Sequence, residues 1–202
     1  MAKNKLAILT ILIAIILDQV LKIYIKTNYK LGDGFQVFSW FHIHFVENNG
    51  MAMGIEFGGK IGKLFLSLFR IVAVFGIIYW LVQNIKKKVH NAVIIAIALI
   101  FSGAVGNIID SVFYGVIFDS SNGKVATLFA EKPYGELFYG KVVDMFYFPF
   151  WEGVLPSWIP FVGGEDFVFF QYIFNPADAF ISVGVALLFM YSKHAFPKEE
   201  KV

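Results

Sequence analysis

The sequence predicts an all-helical membrane protein: a bundle of four transmembrane helices with a small extracytoplasmic β-sheet and surface loops, both termini cytoplasmic. Three observations lead there. Of the 202 residues, 58% are hydrophobic and 18% aromatic, with a mean hydropathy of +0.68, an apolar share above that of soluble domains. Four apolar segments, residues 6–25, 61–83, 92–109 and 174–192, approach the roughly 20 residues that cross about 30 Å of hydrocarbon. Eight of the lysines outside these segments fall in three clusters: Lys3 and Lys5 before the first, Lys86, Lys87 and Lys88 between the second and third, and Lys193, Lys198 and Lys201 after the fourth. With four spans all three clusters fall on one side, which the excess of lysine in short cytoplasmic loops makes the inside.

The first segment reads as a retained helix, because Tyr24 and Ile25 follow it where a secretory signal would need a small-residue cleavage site. Two longer connections, residues 26–60 and 110–173, then lie outside. In the first, Phe35, Val37, Phe41, Ile43 and Phe45 recur at every second position, broken only at Ser39, which is the period of a strand. A short sheet at the membrane surface is expected there. The second connection holds DSSNGKVATLFAEKPYGELF, a flexible insertion over about 119–138, and then DMFYFPFW, an aromatic run suited to the headgroup level. With no internal repeat and no soluble boundary, residues 1–202 read as a single integral membrane domain. A net charge of +2 does not suggest a nucleic-acid partner, and the lack of cysteine removes disulfides, thiolate metal sites and a cysteine nucleophile.

Two acids define the candidate chemistry. The third segment ends in SGAVGNIID and the fourth begins at FNPAD, so Asp110 and Asp178 reach the same outer depth from opposite directions. On helix one, Asp18 and Lys22 share a face at i, i+4. An ionised Asp at the centre of a membrane helix costs about 2.5–3.5 kcal/mol on insertion scales and usually faces a bundle interior. Capping is the alternative for Asp178, which follows Pro176 at a helix start. Asp110 at a helix C-terminus would oppose the macrodipole. Gly103, Gly106, Asn107 and Asp110 give helix three one small, polar face, Ser102 and Gly106 permit close helix approach, and Ser182 shares the face of Asp178.

Two carboxyl groups close together in a low-dielectric site tend to share one proton. The ionised partner can then deprotonate water while the protonated one donates to a carbonyl, which is aspartic protease chemistry and needs no metal or cofactor. His42, His44, His90 and His194 all lie outside the spans, so a Ser–His pair or a zinc H-E-x-x-H helix has no place in the membrane. His42 and His44 alternate on the expected strand without an evident third ligand. Two other classes stay open: a proton-coupled transporter using the same acids as a relay, and a structural membrane protein.

Five blocks, DQVLK at 18–22, NNGMAMG at 48–54, GNIID at 106–110, VVD at 142–144 and FNPAD at 174–178, together resemble lipoprotein signal peptidases, the signal peptidase II family. The resemblance implies a multi-pass endopeptidase of the bacterial inner membrane that removes signal peptides from diacylglyceryl-modified prolipoproteins near the extracytoplasmic face. It implies Asp110 and Asp178 as the catalytic pair, with Asp144 a third, structural acid. Asn48, Gly50, Asn107 and Asn175 match positions that line the site, and Asp18 with Lys22 matches the family's helix-one motif. It further implies membrane lipids as surroundings, a monomer, inhibition by globomycin-type cyclic peptides, and neither cofactor nor metal. Three departures stand out: Ser111 follows Asp110 where many relatives have Arg, with Arg70 on helix two a candidate replacement or a side chain that snorkels to the headgroups; Met53 stands where Phe is common; and the insertion at 119–138 lengthens the outer loop.

Overall fold

In the computed structural model, residues 2–50 and 59–195 are described; Met53 and the NNGMAMG block beyond Gly50 lie outside them, as do Lys198 and Lys201. Among the described residues, three helices are long and apolar enough to cross a membrane: α1 (Lys3–Asn28), α2 (Gly59–Lys86), and a run of 27 residues, Asn91–Ile117. That run is α3 (Asn91–Ile109), a π-helical turn (Asp110–Tyr114) and the short α4 (Gly115–Ile117). The helix expected to stop at residue 109 therefore continues, because Val112, Phe113, Val116 and Ile117 extend its apolar run. Asp110 is not at a helix end, and the macrodipole argument falls away.

The fourth expected span is shorter than its apolar segment. α5 (Pro176–Met190) has 15 residues, about 22 Å at about 1.5 Å per residue. Ile173 and Phe174 leave it to form a strand, Asn175 takes an extended conformation (φ −122°, ψ 173°), and Pro176 supplies a preset first helical residue. A last turn, α6 (Ser192–Ala195), follows.

The helices are polar inside and apolar outside, as a lipid solvent demands. On α1 the buried stripe is Ala7, Ala14, Asp18, Lys22, Ile25 and Lys26, while Ile8, Leu12, Ile16 and Val20 are exposed. The α3 run is the centre of the bundle, packing along α5, α1 and α2. Glycines set its closeness to α5: a Cβ on Gly103 would strike the carbonyl of Ala177 and lie 2.7 Å from Ile181 Cγ1, and one on Gly184 would lie 2.6 Å from the Ala96 oxygen.

The connection between α1 and α2 forms β1 (Gly34–Phe38) and β2 (Phe41–Asn48), an antiparallel hairpin whose turn at Ser39 and Trp40 explains the break in alternation. β3 (Val142–Tyr147) is followed along the chain by β4 (Trp151–Val154), β5 (Asp166–Phe169) and β6 (Ile173–Phe174). β3 joins β2, and β6 joins β3, giving a four-stranded antiparallel sheet in the order β1-β2-β3-β6. Part of the aromatic run is thus a strand. β4 and β5 form a separate two-stranded ribbon. Residues 119–138 do not hang free. The amides of Tyr134, Gly135, Phe138 and Gly140 donate to the carbonyls of Phe118, Gly115, Val112 and Ser111, folding the segment back on the end of the α3 run.

Gly103→Ala and Gly184→Ala are each expected to destabilise the protein by about 1–3 kcal/mol through overpacking of the α3–α5 contact, measured as lowered thermal unfolding in detergent.

Candidate active site

Lys22 is fully buried one turn beyond Asp18. Its ammonium group lies 3.1 Å from Asp18 Oδ2 and 2.9 Å from Asp110 Oδ2, and it donates to Asn107 Oδ1 at 2.9 Å. Gln19 Nε2 donates to Asp18 Oδ2 and to Asp110 Oδ1, both at 3.0 Å, and the Tyr114 hydroxyl donates to Gln19 Oε1 at 3.2 Å. The Val143 amide donates to Asp110 Oδ2 at 3.2 Å, and the Ala177 amide to Asp18 Oδ1 at 2.9 Å. Asp110 is therefore a sealed counter-ion, enclosed by α1, the π turn and β3. The expectation that it faces Asp178 gives way on that geometry, since Lys22, Gln19 and Val143 occupy its oxygens. Sequence reasoning misses Gln19 and Tyr114, although a second polar residue beside Asp18 in an apolar helix is a usable signal for the first.

A different acid stands with Asp178. The pairing of Phe146 with Phe174 aligns β3 with the segment that becomes α5, so Asp144, two residues before Phe146, comes beside Asn175. Asn175 Nδ2 donates to Asp144 Oδ1 at 2.6 Å and to Asn107 Oδ1 at 3.0 Å. Asn107 Nδ2 donates to Asp178 Oδ1 at 2.8 Å. Asp178 also closes a capping box with Asn175, its amide donating to Asn175 Oδ1 at 3.0 Å, so the capping alternative is realised as well. Capping does not account for the contact with Asn107. Asp144 is buried, Asp178 half-buried.

Burial, and next the charge of Asp178, push the Asp144 carboxyl up to about 7, against the opposing effects of Asn175, Lys22 and Asn48. Asp144 therefore keeps its proton to near neutrality.

From the other side, Asn48 donates through Nδ2 to Asp144 Oδ2, the Gly50 amide donates to Asn48 Oδ1 at 2.5 Å, and Arg70 donates to the Gly50 carbonyl. Gly50 has φ +84°, and a Cβ there would come 2.8 Å from Arg70 Nη1 and 3.7 Å from Ser111 Oγ, which only glycine avoids. Arg70 reaches inward to this turn instead of snorkelling. Ser111 donates to its own helix, at the Asn107 carbonyl, and Ser182 to the Asp178 carbonyl. His42 and His44 line a surface groove with Gly34 and Tyr147, and among the described residues no three His, Cys, Asp or Glu gather as a metal site.

Lys22→Ala is expected to cost about 3–5 kcal/mol of stability, because it strands two buried carboxylates. Asp110→Asn is expected to destabilise as well. Thermal unfolding of the purified variants measures both.

A sequence profile described as Signal peptidase (SPase) II matches residues 10–193. A lipoprotein signal peptidase of Porphyromonas gingivalis is 53% identical over 92% of this chain and 82% of its own. That of Amoebophilus asiaticus is 37% identical over 88% of this chain and 73% of its own. Two solved structures of a bacterial membrane enzyme, each 26% identical, superpose with TM-scores of 0.58 and 0.59, covering 97% and 96% of this chain and 93% and 94% of theirs. The buried acids and amides thus sit on a membrane peptidase scaffold, and the chain belongs to the signal peptidase II family.

Proposed function

We propose that this chain removes signal peptides from diacylglyceryl-modified prolipoproteins as an aspartic endopeptidase, and that its dyad is Asp144 and Asp178 in place of Asp110 and Asp178. The carrying observation is that Asp144 and Asp178 share the Asn107–Asn175 amide network, whereas Asp110 is neutralised by Lys22. A carboxylate sealed against an ammonium group has no access to a peptide.

In this reading a water molecule lies between the two carboxyl groups. Ionised Asp178 takes a proton from it as the oxygen attacks the scissile carbonyl carbon, and protonated Asp144 donates to the carbonyl oxygen, giving a neutral geminal diol. The diol then collapses. Its hydroxyl proton returns to Asp144, Asp178 passes its proton to the departing amine, the C–N bond breaks, and the dyad is restored. Asn107 and Asn175 orient the acids, and Arg70 acts through Gly50 and Asn48 on Asp144, supplying from α2 the guanidinium that Ser111 does not.

The remaining features follow from the same proposal. Helices α1, α2, α3 and α5 make four crossings with both termini cytoplasmic, α5 being completed by sheet-anchored Phe174 and by α6. The dyad then lies near the extracytoplasmic face, where a lipid-anchored substrate enters sideways with its acyl chains still in lipid. In the same reading the enzyme acts as a monomer, and globomycin-type cyclic peptides occupy the dyad.

The test is cleavage of a diacylglyceryl-modified prolipoprotein and its unmodified form in detergent. Asp144→Asn and Asp178→Asn are expected to abolish cleavage while remaining folded, and wild type to cut only the modified form; normal turnover by Asp144→Asn would remove it from the dyad. A pH dependence also follows. The Asp144 carboxyl is raised from 3.8 to about 7, so its proton is present below that pH and lost above it. Cleavage is expected to fall as pH rises through about 7. The same shift gives a stability contribution that is full below about 3.8 and lost as pH rises through about 7. Rate–pH profiles and unfolding at several pH values measure the two effects.

A further inference from the structure

The β4–β5 ribbon lies within residues 145–177, the stretch of chain between Asp144 and Asp178. Both ends of the ribbon are rooted beside the site: β3, which carries Asp144, leads into β4, and β5 leads through β6 into the cap of α5.

Its register makes it two-faced. Trp151 pairs with Phe169 and Gly153 with Phe167, while Glu152 pairs with Val168 and Val154 with Asp166. Directly opposed residues share a face and alternate along each strand, so one face is Trp151, Phe167 and Phe169 and the other is Glu152, Asp166 and two valines. Val168, on the acidic face, lines the groove of about 650 Å³ that also contains His42, His44 and Tyr147. The acidic face therefore turns toward the four-stranded sheet, and the aromatic face turns away from it. The connecting loop continues the apolar surface with exposed Trp158 and Phe161. Within the face the rings of Trp151 and Phe167 meet at 6.2 Å, and the residues flanking the ribbon, Phe150 and Phe170, meet each other and, through Phe170, the Phe174 ring at the root of α5.

We infer that the aromatic face and loop of this ribbon rest in the headgroup boundary of the bilayer, beside the mouth of the site. Three features select lipid as the occupant. The ribbon springs from the paired strands β3 and β6, and β6 runs directly into the N-terminus of α5. Trp and other amphipathic aromatic side chains concentrate at this boundary. Residues 142–192 contain no Lys or Arg, and the ribbon region carries Glu152, Glu165 and Asp166, so the contact is apolar and does not call for anionic lipid.

The chain contains no cysteine, which allows single-cysteine spin labelling of the full protein in nanodiscs of phosphatidylcholine holding one copy each. Labels at Trp151→Cys, Phe161→Cys and Phe169→Cys are expected to relax with oxygen and to be shielded from a water-soluble nickel chelate. Labels at Glu152→Cys and Asp166→Cys are expected to show the reverse. Adding phosphatidylglycerol or salt is expected to change neither pattern. Nickel access at the three aromatic positions would overturn the inference, as would shielding from both reagents, which would mean that protein covers the face. Several positions on each face keep the test decisive if one variant fails to fold, which thermal unfolding checks.

Discussion

The buried ammonium group of Lys22 is the constraint on which the rest of the site depends. Burying a lysine is costly unless it is paired and hydrogen-bonded, and here Asp18, Asp110 and Asn107 enclose it. Those partners come from α1 and from the α3 run, so the pairing fixes how the two helices meet. Gly106 makes the approach possible, since a Cβ there would collide with the Asp18 carboxylate. Asp18 in turn accepts from the Ala177 amide in the first turn of α5. One buried charge thus ties together three helices and sets the position of Asn107, the residue through which the lysine and Asp178 are linked.

The sheet adds what the helices lack. Antiparallel pairing of β3 with β6 sets Asp144 beside Asn175, and the π turn at Asp110–Tyr114 lets the α3 run continue while its first residue points at Lys22. Such single π turns inside α-helices recur at functional sites. Further out, Lys26 is paired with Glu47 and donates to Ser121 at 2.9 Å, so the same face of α1 that holds the site also holds β2 and the 119–138 segment. The inserted segment is structural in that sense: it closes over buried Phe118 and Tyr114.

Much of this is legible in the sequence. The three long helices follow from apolar runs, and the cap of α5 follows from Asn175, Pro176 and Asp178, whose local hydrogen bonds need no tertiary information. The β1–β2 hairpin follows from alternation. The place of Asp110 is not legible in the same way, because GNIID reads as a helix end although residues 112–117 continue its apolar pattern. Asp144 is harder still. Its position depends on pairing with β6, a strand of two residues separated from β3 by the aromatic ribbon, and no local period reports such a contact. The ribbon itself, interrupted by Gly and Pro, carries too short an alternation to stand out.

The central claim is that Asp144 and Asp178 are electrostatically coupled while Asp110 serves Lys22. The most direct measurement is carbon NMR of carboxyl-labelled aspartate in the membrane-embedded protein, with the Asp144 signal assigned by its loss in Asp144→Asn. The expected result is that Asp144 titrates near 7 and moves to lower pH in Asp178→Asn, where the neighbouring charge is gone. An Asp144 titration unchanged by Asp178→Asn would contradict the coupling.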